Sequence, residues 1–223
     1  MITTLAEALR RGPVVLDGGL ATQLEAQGQN LNSELWSAQL LYDDPGAIVA
    51  AHLAYFDAGA QVATTASYQA SIGGFARAGI ARSEAEHLIR RSVRLAEEAR
   101  ARCDDGHVRW IAGSVGPYGA ALADGSEYRG DYGLSVADLR IWHRPRIELL
   151  AEEGVDILAL ETIPSLAEVE ALLAEIDGSG QACWLSITCA GIVRGLANRR
   201  SRPSRLLATL PRSSPWSQLH RSR

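Results

Sequence analysis

The chain has 223 residues, 47% of them hydrophobic, and a formal net charge of -4, which suffices for one large domain with a real core. No apolar run approaches the roughly 20 residues needed to cross a bilayer, and Met1 to Arg11 lacks the apolar centre of a signal peptide, so the expectation is a cytoplasmic protein with no membrane partner. Cys103, Cys183 and Cys189 form no paired framework of the secreted kind, in keeping with a reducing compartment.

Charge is divided unevenly. Residues 1–191 hold all 26 acidic residues and sum to -12, whereas residues 192–223 hold no acid and eight arginines. A break of that sharpness marks a change in the kind of chain.

In chain order, Val14-Val15-Leu16 predicts a short first strand ending in Asp17-Gly18-Gly19. Asp44 before Pro45 is a helix N-cap, and the helix runs through Phe56 to a closing Gly59. Gln61 to Tyr68 reads as a second strand ending in hydroxyls. Ser83 with Glu86 is the spacing of a capping box, and Ala85, Leu88, Ile89, Ser92, Leu95, Ala96 and Ala99 lay a stripe along a long helix. Arg109 to Gly113 supplies a third strand, followed by a glycine- and tyrosine-rich loop from Ser114 to Tyr132 whose length points to function. Ser135 and Asp138 start a helix with Pro145 inside it as a kink.

The most informative stretch is Val155 to Pro164, an almost unbroken apolar run that carries Glu161 at its end. Such runs are parallel strands covered on both faces. Ser165 and Glu168 form a capping box, and Leu166, Val169, Leu172, Leu173 and Ile176 follow at helical spacing. Cys183 to Thr188 is the fifth strand, and periodicity stops after Gly191. Five strand and helix units without a hairpin signal predict an α/β fold with a parallel sheet, doubly wound or barrel. Polar groups at the C-terminal ends of such strands are where both architectures keep their chemistry. The segment from Arg194 to Arg223, with Leu206, Leu207 and Leu210 its only apolar cluster, is expected to be poorly ordered.

Three ordered motifs carry more than a fold class: Leu16 to Glu25, Gly59 to Ala70 and Ala112 to Gly119. Together they resemble the homocysteine S-methyltransferases. Ala123 to Tyr132, His143 to Arg146 and Leu160-Glu161-Thr162 narrow the resemblance to the branch that uses S-methylmethionine or S-adenosylmethionine. It runs from about Val14 to Thr188. The resemblance implies a (β/α)8 TIM barrel, present here as about five βα units over residues 1–191 with an irregular basic tail over 192–223. It implies homocysteine and a sulfonium methyl donor as partners, methionine as product, and a zinc ion on three cysteine thiolates that activates the homocysteine sulfur. Carried over by position, Asp17 and Glu161 hold the amino group, and Gly18 and Thr65 help place the carboxylate. The bland alternatives are a loop-shaping role for Asp17 and a salt bridge for Glu161.

The zinc ligands are where the chain departs from the family. Neither the Gly-(Val or Ile)-Asn-Cys nor the Gly-Gly-Cys-Cys pattern occurs. Cys183 and Cys189 lie on one strand roughly 20 Å apart at about 3.3 Å per residue, too far to share an ion that takes Zn–S bonds of about 2.3 Å. The break near Ala190 reads as a reading-frame change. On this reading zinc is the family's cofactor without ligands in this chain, no catalytic residue is assigned, and open sheet edges invite self-association. The alternatives are a non-catalytic remnant that binds homocysteine weakly and a structural protein whose open sheet pairs with another chain. Gly113 to Gly119 is no phosphate cradle, since Pro117 sits where a donor is wanted and no lysine follows. His52, His87, His107 and His143 have no metal spacing, and the tail, with Trp216 its only stacking residue, is no nucleic-acid module.

Overall fold

Four parallel strands, added one after another on the same side, and a fifth, antiparallel one form the sheet in the computed structural model, which describes residues 4–31, 37–188 and 206–210. The elements are α1 (Leu5–Arg11), α2 (Leu20–Ala26), α3 (Ser37–Asp43), α4 (Pro45–Asp57), β1 (Val62–Thr64), α5 (Ile72–Arg77), α6 (Arg82–Arg102), β2 (Trp110–Val115), α7 (Val136–Glu152), β3 (Ile157–Ile163), α8 (Leu166–Ile176), β4 (Cys183–Ile187) and β5 (Leu206–Leu210). The order β1-β2-β3-β4 never reverses, whereas a doubly wound sheet turns back at a switch point.

The expected first strand is reduced to a single bridge, Leu16 to Val62. β5 pairs antiparallel to β4, from Cys183 with Leu210 to Ile187 with Leu206. Within the segment expected to be a poorly ordered, irregular tail, residues 206–210 are this strand, paired along the open edge of β4.

Side-chain alternation splits the sheet into two faces. One packs against the helices, with Ile111, Val115, Leu158, Leu160, Ile163 and Leu185 meeting α4, α6, α7 and α8 in the main core. The other carries a smaller cluster of Val62, Trp110, Ala112, Ile157, Ala159 and Trp184, with Leu5 of α1 packed into it. These apolar residues occupy the N-terminal and middle parts of the strands. Two residues further along the same face stand Thr64, Ser114, Glu161 and Ser186, so the face changes from apolar to polar toward the C-terminal ends.

Helix caps fall mostly where the sequence places them. Asp44 accepts from the Ala47 N–H at 3.1 Å, and Ser135 with Asp138 makes a reciprocal box. Two differ. α6 starts at Arg82 behind an extended Ala81 that offers no side-chain cap, so Ser83 lies inside the first turn. Ser165 caps α8, but Glu168 does not return the bond; its carboxylate is drawn into a buried network. Leu166, expected in the apolar stripe, is 80% exposed.

Candidate functional site

Asp17 follows the bridge residue Leu16 and turns its carboxylate onto β1, where the Thr64 N–H donates to Oδ2 at 2.6 Å and the Thr64 hydroxyl to Oδ1 at 2.7 Å. Burial pushes its pKa up to about 6, although both bonds act to lower it. Two neutral donors do not replace the water that burial removed. Gly18 leaves room for Tyr55: a Cβ there would lie 2.8 Å from the phenol oxygen, which donates to the Gly19 carbonyl at 3.0 Å.

Between the ends of β1 and β2 the hydroxyls interlock. Ser67 donates to the Ser114 carbonyl at 2.7 Å, which leaves Thr65 to donate to Ser67 Oγ at 2.7 Å, while Thr65 Oγ1 accepts the Ser114 N–H at 2.9 Å. The Thr65 N–H is given to Ala112 O. Thr65 is thus buried with both donors committed, and its bonds tie the two strand ends together. The Ser114 hydroxyl in turn donates to Glu161 Oε1.

An irregularity follows directly on Glu161. The register between β3 and β4 shifts between Leu160 and Ile163, and Thr162 takes a left-handed φ of 63°. A β-branched residue seldom adopts that conformation, at a cost of about 1–3 kcal/mol, and such strain gathers at functional sites. It is held in place because the Thr162 N–H donates to Ser186 Oγ at 3.0 Å and its hydroxyl bonds the Tyr68 phenol. Burial, with Glu127 and Glu161 nearby, pushes the Tyr68 pKa up, so the phenol stays protonated. The glutamate keeps the face of Ala159 by ordinary alternation, and the shift after it returns Ile163 to the helix-facing core.

The structure therefore brings Asp17, Gly18, Thr65 and Glu161 to the C-terminal ends of neighbouring strands. Thr64, Ser67, Ser114, Thr162 and Ser186 are participants that sequence reasoning did not single out. Their signal was available: each is a small hydroxyl residue at the end of an apolar strand.

Thiols fit a metal poorly. Cys183 is buried, and burial pushes its pKa up to about 11. Cys103 caps the end of α6 and donates to the Ala99 carbonyl at 3.4 Å. Cys189 lies outside the described residues. Among the described residues no three His, Cys, Asp or Glu side chains stand close enough to hold an ion.

Residues 14–211 match the family profile described as Homocysteine S-methyltransferase. The chain belongs to that family. It is 49% identical over 180 residues to the Homocysteine S-methyltransferase of Escherichia coli (strain K12), covering 78% of this chain and 58% of that one. Over 183 residues it is 49% identical to Homocysteine S-methyltransferase YbgG of Bacillus subtilis (strain 168), with the same two shares. The Selenocysteine Se-methyltransferase of Brassica oleracea var. italica is 45% identical over 180 residues, covering 74% of this chain and 52% of that one. The crystal structure of the Homocysteine Methyltransferase MmuM from Escherichia coli in its metallated form superposes with a TM-score of 0.76 at 47% identity, covering 80% of this chain and 65% of that one. The chain spans less than two thirds of the length of these homocysteine S-methyltransferases. The matched range continues to residue 211, past Thr188 where the sequence motifs end, so part of the segment expected to lie outside the family falls within it.

Proposed function

We propose that the described residues form the amino-acid-binding part of a homocysteine S-methyltransferase, an incomplete (β/α)8 barrel of about five units over residues 1–191. The reaction of the complete site moves a methyl group from S-methylmethionine or S-adenosylmethionine to the sulfur of homocysteine, giving methionine. The donor's C–S bond breaks as the new one forms, and the donor leaves as a neutral thioether, so no general acid is needed. Asp17 and Glu161 receive the ammonium group. Gly18 borders the carboxylate end of the pocket, and Thr65 shapes it through Ser67 and Ser114.

The observation that carries this reading is the setting of Asp17: a carboxyl at a strand end that takes the neutral Thr64 N–H and hydroxyl on its two oxygens, with burial pushing its pKa up to about 6. An arriving cation supplies what those donors do not. A second acid, Glu161, stands on the same face of the sheet. Zinc would supply the thiolate form of the substrate sulfur, and the described residues do not fit it. We accordingly infer that the chain binds homocysteine and does not by itself complete the transfer. Titration calorimetry with homocysteine tests the first half, with binding expected for the wild type and lost in Asp17→Asn and Glu161→Gln. Methyl transfer from S-methylmethionine with added zinc tests the second, and turnover at a rate typical of intact enzymes would sink it.

One observation favours pairing with another chain as well. Val15 and Leu16, on the outer side of β1, are 54% and 37% exposed. The backbone of that segment pairs inward at alternate residues, Gln61 N–H to Val15 O and Asp17 N–H to Val62 O, which turns the backbone groups of Leu16 outward as an edge strand does. A concentration-dependent mass in analytical ultracentrifugation is the expected result.

A further inference from the structure

Arg146 of α7 is 1% exposed, yet its guanidinium is surrounded by acceptors. Nη1 donates to the carbonyls of Tyr68 at 3.0 Å and Ala70 at 3.2 Å, with Ser67 O at 3.5 Å, and Nη2 donates to Gly116 O at 2.7 Å. These carbonyls belong to two different loops, those after β1 and β2. Nη2 also lies 3.0 Å from His143 Nδ1. A guanidinium has no acceptor, so Nδ1 must hold its lone pair toward Arg146 and the ring proton sits on Nε2. Nε2 donates to Glu168 Oε1 at 2.9 Å, and the same oxygen accepts the Tyr118 N–H at 2.5 Å. A neutral imidazole thus bridges a buried cation and a buried carboxylate.

Both arms end on the segments that flank the Ser67–Ser114 interlock, and Ser114 holds Glu161. We propose that Arg146, bridged by His143 to Glu168, is a positioning residue for the amino-acid site, fixing the loops after β1 and β2 and with them the Ser114 hydroxyl that orients Glu161. A planar fork can reach two loops and a histidine at once, which the single nitrogen of lysine cannot. The proposal rests on the homocysteine-binding reading, and its test has a readout free of ligand.

In the full chain, Arg146→Lys is expected to weaken homocysteine binding at least tenfold in calorimetry. Without ligand it is expected to speed hydrogen exchange at least tenfold at the Ser114 and Tyr118 amides, with α6 unchanged. His143→Gln, whose amide offers an oxygen to Arg146 and an N–H to Glu168, is expected to keep both properties, and His143→Leu to lose both; this pair decides the matter if Arg146→Lys does not fold. Unchanged exchange at both amides, equal acceleration across α6, or equal behaviour of the two His143 variants would overturn the proposal. If the wild type fails to bind homocysteine while the local exchange effects appear, the binding reading falls and the positioning role stands.

Discussion

Thr64 gives both its N–H, at 2.6 Å, and its hydroxyl, at 2.7 Å, to the two oxygens of Asp17, and the carboxyl still sits at about pKa 6. Its folded pKa lies above the unfolded value, so its contribution to stability is fully present below about pH 4 and is lost as pH rises through 6. Asp17→Asn removes the buried charge while its amide still accepts the Thr64 N–H and donates to the Thr64 oxygen. The variant should be more stable than wild type by about 1–3 kcal/mol at pH 7.5, with the gain gone by pH 4. Urea denaturation at the two pH values measures this. Wild-type homocysteine affinity should fall as pH drops below 6, because the protonated carboxyl no longer attracts an ammonium.

Gly116 faces the Tyr68 carbonyl so closely that a Cβ would lie 2.5 Å from its oxygen. Backbone on both sides is tied to Arg146, so neither loop can retreat. Gly116→Ala should destabilise by about 1–3 kcal/mol or more. Gly12→Ala, with nothing within 4 Å of the added carbon and an extended backbone, is the control expected to stay near wild type in the same thermal melts.

The strands and helices that repeat a period were legible in the sequence: every residue of the stripe read on α6 is buried, and the apolar run of β3 lies in the sheet. The strand-end positions of Asp17 and Glu161 were legible, because each carboxylate follows an apolar run. What escaped depends on partners distant in sequence. Thr162 in an ordinary-looking Glu-Thr-Ile run gives no sign of a left-handed turn; β4 and Tyr68 impose it. Arg146 belongs to a motif seen in the sequence, but its burial depends on two loops that fold over it. Glu168 is the most instructive case, since its spacing from Ser165 matched a capping box while tertiary structure spent its carboxylate on His143 and Tyr118.

His52 of α4 is fully buried, and neither ring nitrogen finds a hydrogen-bond partner among the described residues. Burial holds its pKa down at about 4, below the unfolded value near 6.5. For a base so shifted, stability is intact above about pH 6.5 and lost as pH falls toward 4, by roughly 3 kcal/mol at the limit. Leucine is similar in size and leaves no unpaired N–H in the core. His52→Leu should therefore gain about 1 kcal/mol at pH 7.5, and its advantage should widen at pH 5. Asp17 tilts the wild-type profile the other way over this range, so the difference between variant and wild type in urea denaturation is the quantity to follow.

Cys183 bears on the metal question directly. Zinc takes a thiol as thiolate, so binding at neutral pH must first remove a proton. With the thiol held up at about 11 by burial, that removal at pH 7.5 costs about 5 kcal/mol, compared with less than half as much for an exposed cysteine. Cys103, bonded to its own helix, brings no second thiolate to the same place. Dialysis against a chelator should thus leave the melting temperature of the purified chain unchanged, and metal analysis before dialysis should find well under one zinc per chain. Cys183 should also resist alkylation at pH 7.5 until the protein is unfolded. A chelator-sensitive melt with one zinc per chain would show that Cys189 and residues outside those described assemble a centre of their own, and the proposed lack of turnover would fall with it.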